Sequence, residues 1–239
     1  NLVVLSGLIA AASTGCIISS DSSSHAHVGA TWQIKDYPNT VIPCPPGFDT
    51  AALYNQEVDN NDQPIGSPII DLFDCAAGGG TSAPLPPTRY ETWIEITTNN
   101  NSSVYAQSVP AFVDVTDVDL TYNTDIYDNA GYFGMAWNLV GKNSGASLSC
   151  EQAGVTGASS GVEMLINVTG TMTMDMDQFP CTDYQGVSKA YPEGSYTVAV
   201  DAYTAAGQVS DSVTKDNQVI TGPNKVTNLG TATIPITGM

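Results

Sequence analysis

The side chains of this chain able to bridge, bind metal or attack a carbonyl are few: five cysteines, two histidines and 24 carboxylates. Cys44 and Cys75 are separated by 31 residues, and so are Cys150 and Cys181. Of the three ways to pair four thiols, only Cys44–Cys75 with Cys150–Cys181 respects that spacing. Each bridge closes a loop of about 30 residues and stabilises its surroundings by roughly 3 kcal/mol in the chain-entropy description. Such bridges require an oxidising compartment. Zinc is a poor alternative, because the sequence holds no C-x-x-C and its two histidines, His25 and His27, lie apart from these four cysteines. With no third ligand nearby, His25 and His27 read as part of a solvated linker.

Two groups of oxygen-bearing residues point toward calcium. Asp59, Asn61 and Gln63 alternate as oxygen ligands do in a calcium loop and Asp62 adds a second carboxylate, but Pro64 and Ile70 hold the places where such a loop needs Gly and an acid. Asn and Asp also populate tight turns for conformational reasons, and that is the reading preferred for Asp59–Gly66. Asp114, Asp117, Asp119, Asp125 and Asp128 form an acidic border midway along the chain. There the preferred reading is a strand over Val113–Val118 with its aspartates facing water. Met172, Met174 and Met176 recur at period two and are expected on the inward face of a strand rather than around copper. A serine nucleophile would lack a base, since both histidines fall in the linker. No acid pair is set apart for glycoside hydrolysis, and no phosphate or cofactor motif occurs. A non-enzymatic protein without a cofactor is expected, calcium being the one ion its acids would take.

The elements that carry these residues come in two copies. Trp32 and Trp137 are 105 residues apart; Cys44 and Cys150, Cys75 and Cys181, and Tyr90 and Tyr196 are each 106 apart. Glycines open both Trp strands, at Gly29 and Gly134, and a Phe stands two residues before the second Cys of each pair. At 239 residues the chain accommodates two such units of about 100 residues, expected at 28–125 and 126–239. Val28–Ile34, Ala51–Val58, Ile69–Phe73, Tyr90–Ile96, Val104–Val113, Gly131–Val140, Gly161–Val168, Gly170–Met176, Gly194–Ala202 and Val226–Ile236 read as strands by alternation and turn signals. Ala76–Pro87, with three consecutive glycines, reads as an irregular connection. The expected class is all-β: two tandem seven-strand sandwiches, each with one internal disulfide. Six basic residues against the 24 acids leave a net charge of −18, which argues against nucleic acid as a partner.

The N-terminus resembles an export signal. Leu2–Ala12 is an apolar run of signal-peptide length, and Ser13-Thr14-Gly15-Cys16 is similar to a bacterial lipobox, with Ser13 where Leu is more usual. The resemblance implies acylation of Cys16. Residues 1–16 then form the signal and lipobox segment, and the serine-rich 17–27 a tether. The absence of an initiator Met and of basic residues before Leu2 leads us to expect a truncated leader. Location at the outer membrane, cell surface or cell exterior follows, with membrane contact only through the lipid. In the alternative, residues 1–15 are retained and add as a strand or helix to a neighbouring subunit of an extracellular fibre.

Glu193-Gly194-Ser195-Tyr196-Thr197-Val198 resembles the Gly-x-Tyr-x-Val strand of bacterial immunoglobulin-like and transthyretin-like (carboxypeptidase regulatory-like) modules. From lipobox through twin Trp…Cys…Phe-x-Cys…Tyr repeats, the chain is similar to surface lipoproteins of myxobacteria and related bacteria. That resemblance implies an adhesion or spacer role, with an extracellular protein, a glycan or further copies of the chain as partner. The first copy departs from it, having Pro86-Pro87-Thr88-Arg89 before Tyr90.

Overall fold

The computed structural model describes residues 26–116, 119–171 and 173–239. The expected signal segment, Cys16, His25, Asp117 and Met172 lie outside the described residues. The first half runs β1 (Val28–Asp36), β2 (Thr40–Val41), β3 (Thr50–Glu57), β4 (Ile69–Asp74), β5 (Gly79–Thr81), β6 (Thr88–Thr97), β7 (Val104–Gln107), β8 (Ala111–Val115) and β9 (Leu120–Tyr127). The second runs β10 (Ala130–Gly141), β11 (Ser147–Leu148), β12 (Gly161–Val168), β13 (Met174–Phe179), β14 (Gln185–Val187), β15 (Tyr191–Pro192), β16 (Gly194–Thr204), β17 (Gly207–Gln208), β18 (Val213–Ile220) and β19 (Val226–Ile236). Short segments of two or three residues raise the strand count above the seven expected per unit. Among the described residues the helical turns are 3-10 turns at Cys75–Ala77 and Cys181–Asp183.

Each half has two sheets. In the first, β1 pairs with β2, β5 and β9, while β3 and β6 form the centre of a sheet completed by β4, β7 and β8. In the second, β10 pairs with β11, β14, β15 and β19, while β12 and β16 are flanked by β13, β17 and β18. Alternation decides the inward faces: Val28, Ala30, Trp32 and Ile34 on β1 meet Leu53, Tyr90, Ile94 and Ile96 in one buried cluster. Phe133, Met135, Trp137 and Leu139 on β10 meet Val162, Met164, Ile166, Tyr196 and Val198 in another. Two sheets closed over one apolar layer is sandwich packing. The last strand of each half runs parallel to the first, β9 beside β1 and β19 beside β10.

The repeated residues form one scaffold built twice. The disulfides are Cys44–Cys75 and Cys150–Cys181. The Trp32 indole donates to the carbonyl of Cys75 at 2.9 Å and that of Trp137 to the carbonyl of Cys181 at 3.0 Å. Each buried ring thus satisfies its one donor on the bridge it packs against. Tyr90 donates to the Pro86 carbonyl and Tyr196 to that of Pro192, a tyrosine corner in each half. Ser82 and Ser188 accept from the backbone of Val28 and Phe133.

Several expectations need correction. Gly79–Thr81 is a strand rather than part of an irregular connection: Gly80 lies under the Phe73 ring, where a Cβ would stand 2.5 Å from ring carbon. Here glycine serves close packing, not a turn. The strand expected over Val104–Val113 breaks at Ser108–Pro110 into β7 and β8, both along β6, because Pro110 has no N–H for the ladder. The last strand of the first half is β9, beyond the strand expected over Val113–Val118, and it continues through Tyr127. Ala26 bridges to Leu85 and is buried, so the fold begins inside the expected tether. The strand expected from Gly170 starts at Met174, after a turn. Its methionines face out, Met174 being 62% and Met176 45% exposed, because β13 is an edge strand whose outer face has no covering layer.

Candidate functional site

Asp59 and Asp119, two of the acids singled out for calcium, hold the backbone. Asp59 Oδ1 accepts from the N–H groups of Asn61 and Gln63 at 2.8 and 2.9 Å, which closes the turn. Those bonds, the Gln63 bond foremost, hold its carboxyl below the ordinary carboxylate range. Asp62, in the left-handed region, lies 3.2 Å from the Arg89 guanidinium. Asp119 Oδ1 accepts from the His27 N–H at 2.8 Å and ties the entry of β1 to that of β9. His27 Nδ1 lies 2.8 Å from the Ser82 carbonyl. Among the described residues no three His, Cys, Asp or Glu side chains gather as a metal would require.

A groove of about 640 Å³ lies against the first-half staple. Its volume falls in the range of small-ligand sites. The floor is the outer face of the parallel pair β1 and β9, where the period of two presents Thr31 and Gln33 beside Asn123 and Asp125. One wall is the staple itself, Val41–Cys44 and Cys75–Gly78. Thr31 Oγ1 donates to Asn123 Oδ1, and Lys35 Nζ sits 2.7 Å from Asp125 Oδ2 at one end.

Position by position, the two halves keep the scaffold and change this floor. Thr31, Gln33 and Lys35 on β1 correspond to Ala136, Asn138 and Val140 on β10. Facing them, Asn123 and Asp125 give way to Thr231 and Thr233, the partners of Ala136 and Asn138 on β19. At the wall, Gly78 corresponds to Tyr184; both cap a 3-10 turn in the left-handed region, at φ 64° and 54°. The first half therefore carries no side chain where the second carries a phenol. A repeat that holds its fold constant while altering one polar surface separates what folds the chain from what the surface does. In the sequence Asp125 and Gly78 show only as parts of an acidic border and a glycine run, while Thr31, Gln33 and Asn123 are ordinary outward positions of strands. Comparing the copies at an offset of 105 was the signal available.

The outer face of the other first-half sheet carries an apolar row. Tyr54 and Trp93 stack with ring centroids 4.8 Å apart and planes 7° off parallel, beside the exposed edge residues Ile70 (43%) and Leu72 (54%). Arg89 lies over the Phe112 ring, 5.0 Å from its centroid.

No protein-family model matches the chain, and no curated protein matches it in sequence. Solved structures that resemble it include a minor pilin of Streptococcus agalactiae (11% identity, TM-score 0.30, 90% of this chain and 97% of that one). A shaft pilin of Lactobacillus rhamnosus matches at 8% identity and TM-score 0.28, over 90% of this chain and 99% of that one. The fimbrial anchor protein of Porphyromonas gingivalis matches at 9% identity and TM-score 0.27, over 80% and 82%. Scores this low assign neither fold family nor role, so the functional reading stands on the chain's own residues.

Proposed function

We propose that this chain is an exported, non-enzymatic surface protein, held to a membrane by a lipid on Cys16, which presents the first-half groove to an extracellular ligand. Its two immunoglobulin-like units, 28–125 and 126–239, act as a stapled stalk and head. The observation that carries this reading is the matched pair of disulfides, each accepting its Trp indole bond at the bridge carbonyl. A fold stapled in this way depends on an oxidising compartment. The net charge of −18 supports solubility outside the cell and repels nucleic acid and anionic membranes, which leaves the lipid as the only membrane contact. Fractionation of cells producing the protein and its Cys16→Ser variant tests this. The wild type is expected with membranes and the variant in the soluble fraction, with four cysteines oxidised in both. Equal partitioning of the two would refute the anchor.

A filament subunit is the second reading, favoured by the edge strands β4 and β13, whose Ile70, Leu72, Met174 and Met176 are exposed beside unpaired ladders. Under it Leu2–Ala12 survives processing, and Leu5→Asp abolishes assembly measured by sedimentation.

A further inference from the structure

The geometry points to an uncharged saccharide as the occupant of the first-half groove, a step that rests on the binding role proposed above. Three properties of the groove select this class. The first is the state of the backbone. β1 is paired along one side by β9 and on the other by β5 and β2, and the gap between those two is filled by Trp32 N–H donating to the Gly78 carbonyl and Ile42 N–H to that of Ile34. β1 is thus paired along both sides where it lines the groove, so its backbone offers nothing to an added peptide strand and recognition on this part of the floor falls to side chains.

The second is charge. The groove holds one carboxylate, Asp125, and its Oδ2 is matched by Lys35 at 2.7 Å. The site is close to neutral within a chain of net charge −18, so anionic ligands are repelled and a cation finds its one carboxylate already paired. The third is the kind of polar group on offer. Gln33 brings a full amide, Asn123 an NH₂ whose oxygen partner already takes the Thr31 hydroxyl, Thr31 its lone pairs, and Asp125 its second oxygen. Donors and acceptors alternate along a row of strand-spaced side chains, as vicinal hydroxyls require, beside an apolar wall of Val41, Pro43 and Ala76 that can take the C–H face of a sugar ring.

The contrast between halves locates the same determinant. Placing Tyr at position 78 copies the second half, where Tyr184 shows that the left-handed cap accepts that residue. The Gly78→Tyr variant should therefore fold and lose binding, while Gln33→Ala removes an exposed amide without touching the core.

The test is amide-resolved NMR titration of the full chain with neutral hexasaccharides of glucose, xylose and mannose in their common linkages. One series is expected to shift the amides of 31–35, 76–78 and 123–125 with saturation. Gln33→Ala is expected to weaken that binding about tenfold, as loss of a two-bond amide contact implies, and Gly78→Tyr to abolish it. Shifts confined to these amides by a basic peptide, with none from any saccharide, would overturn the saccharide and keep the binding role. Saturable saccharide shifts mapping elsewhere, or Gly78→Tyr binding as the wild type does, would overturn the groove. Silence from every probe would overturn the saccharide inference, while the Cys16 experiment would still decide export separately.

Discussion

Replacing Asn224 with glycine should uncouple the two halves. Asn224 follows the Gly222–Pro223 bond between β18 and β19, is buried, and sits at φ 52°, where glycine is unstrained. Its Oδ1 accepts from Tyr127 N–H at 2.7 Å and from the Tyr132 hydroxyl at 3.2 Å, and its Nδ2 donates to the Gln107 carbonyl at 2.8 Å. Tyr127 and Gln107 belong to the first half, so two of the three bonds cross between halves. Asn129, in the two-residue link from β9 to β10, adds a third crossing by accepting from Tyr37 N–H. Burial pushes the Tyr132 phenol well above its ordinary range, so it is a donor at neutral pH. At about 0.5–1.5 kcal/mol for each of the three bonds, the variant should lose about 1.5–4.5 kcal/mol, most of it coupling energy. Urea unfolding of the wild type followed by tryptophan fluorescence should show one transition. In Asn224→Gly, Trp137 should report a separate transition from Trp32 and Trp93, because each half keeps its own core and staple. Asn224→Ala should cost about 1 kcal/mol more, from the left-handed backbone alone. A single transition with a loss under about 0.5 kcal/mol in the glycine variant would refute the pin.

The Phe-on-glycine contacts make a paired prediction. Gly80→Ala and Gly186→Ala, placing a methyl against Phe73 and Phe179, should each cost about 1–3 kcal/mol in thermal or urea unfolding, and unchanged stability in both would refute the close packing. Asp175 gives a pH prediction. The hydrogen bond from Lys189, at 2.6 Å, holds its carboxyl below the ordinary range, and the same bond raises the Lys189 ammonium. A lowered carboxylate contributes above its unfolded pKa and loses that contribution as pH falls through the folded one. A raised ammonium contributes below its unfolded pKa and loses that as pH rises through the folded one. The pair therefore stabilises between about pH 4 and about pH 10, weakly and in a salt-dependent way because both groups are half-exposed. Asp175→Asn should make the fall of the unfolding midpoint below pH 4 shallower than in the wild type, and identical acid limbs would refute the pairing.

What was legible in the sequence was whatever local chemistry enforces. Trp32 and Trp137, the cysteine spacing and the two tyrosines announced both scaffolds, because a buried indole, a disulfide and a tyrosine corner each demand a particular residue at a particular distance along the chain. The misses arose where a neighbour distant in sequence decides the outcome. A run of three glycines reads as loop until Phe73 is laid across Gly80. The period of two in Met174 and Met176 identifies a shared face, but whether that face is covered depends on β13 being an edge. β9 was hidden by Asp119 and Asp125, whose charges are matched by His27 N–H and Lys35 across a parallel pairing no local pattern reveals. The groove was hidden for the opposite reason: Thr31, Gln33 and Asn123 are ordinary outward strand residues, and only their difference from the second copy marks them. Asn224 in a short turn between strands gives no sign that it faces the other half.

Intact mass and N-terminal analysis of the native protein, before and after reduction, bears most directly on the proposal of an exported, lipid-anchored, twice-stapled surface protein. The expected result is a chain that begins at an acylated Cys16 and gains four hydrogens on reduction, from Cys44–Cys75 and Cys150–Cys181. A chain that retains residues before Cys16 with an unmodified thiol there would contradict the anchor and favour the filament reading. Four free thiols at the paired positions would contradict export itself.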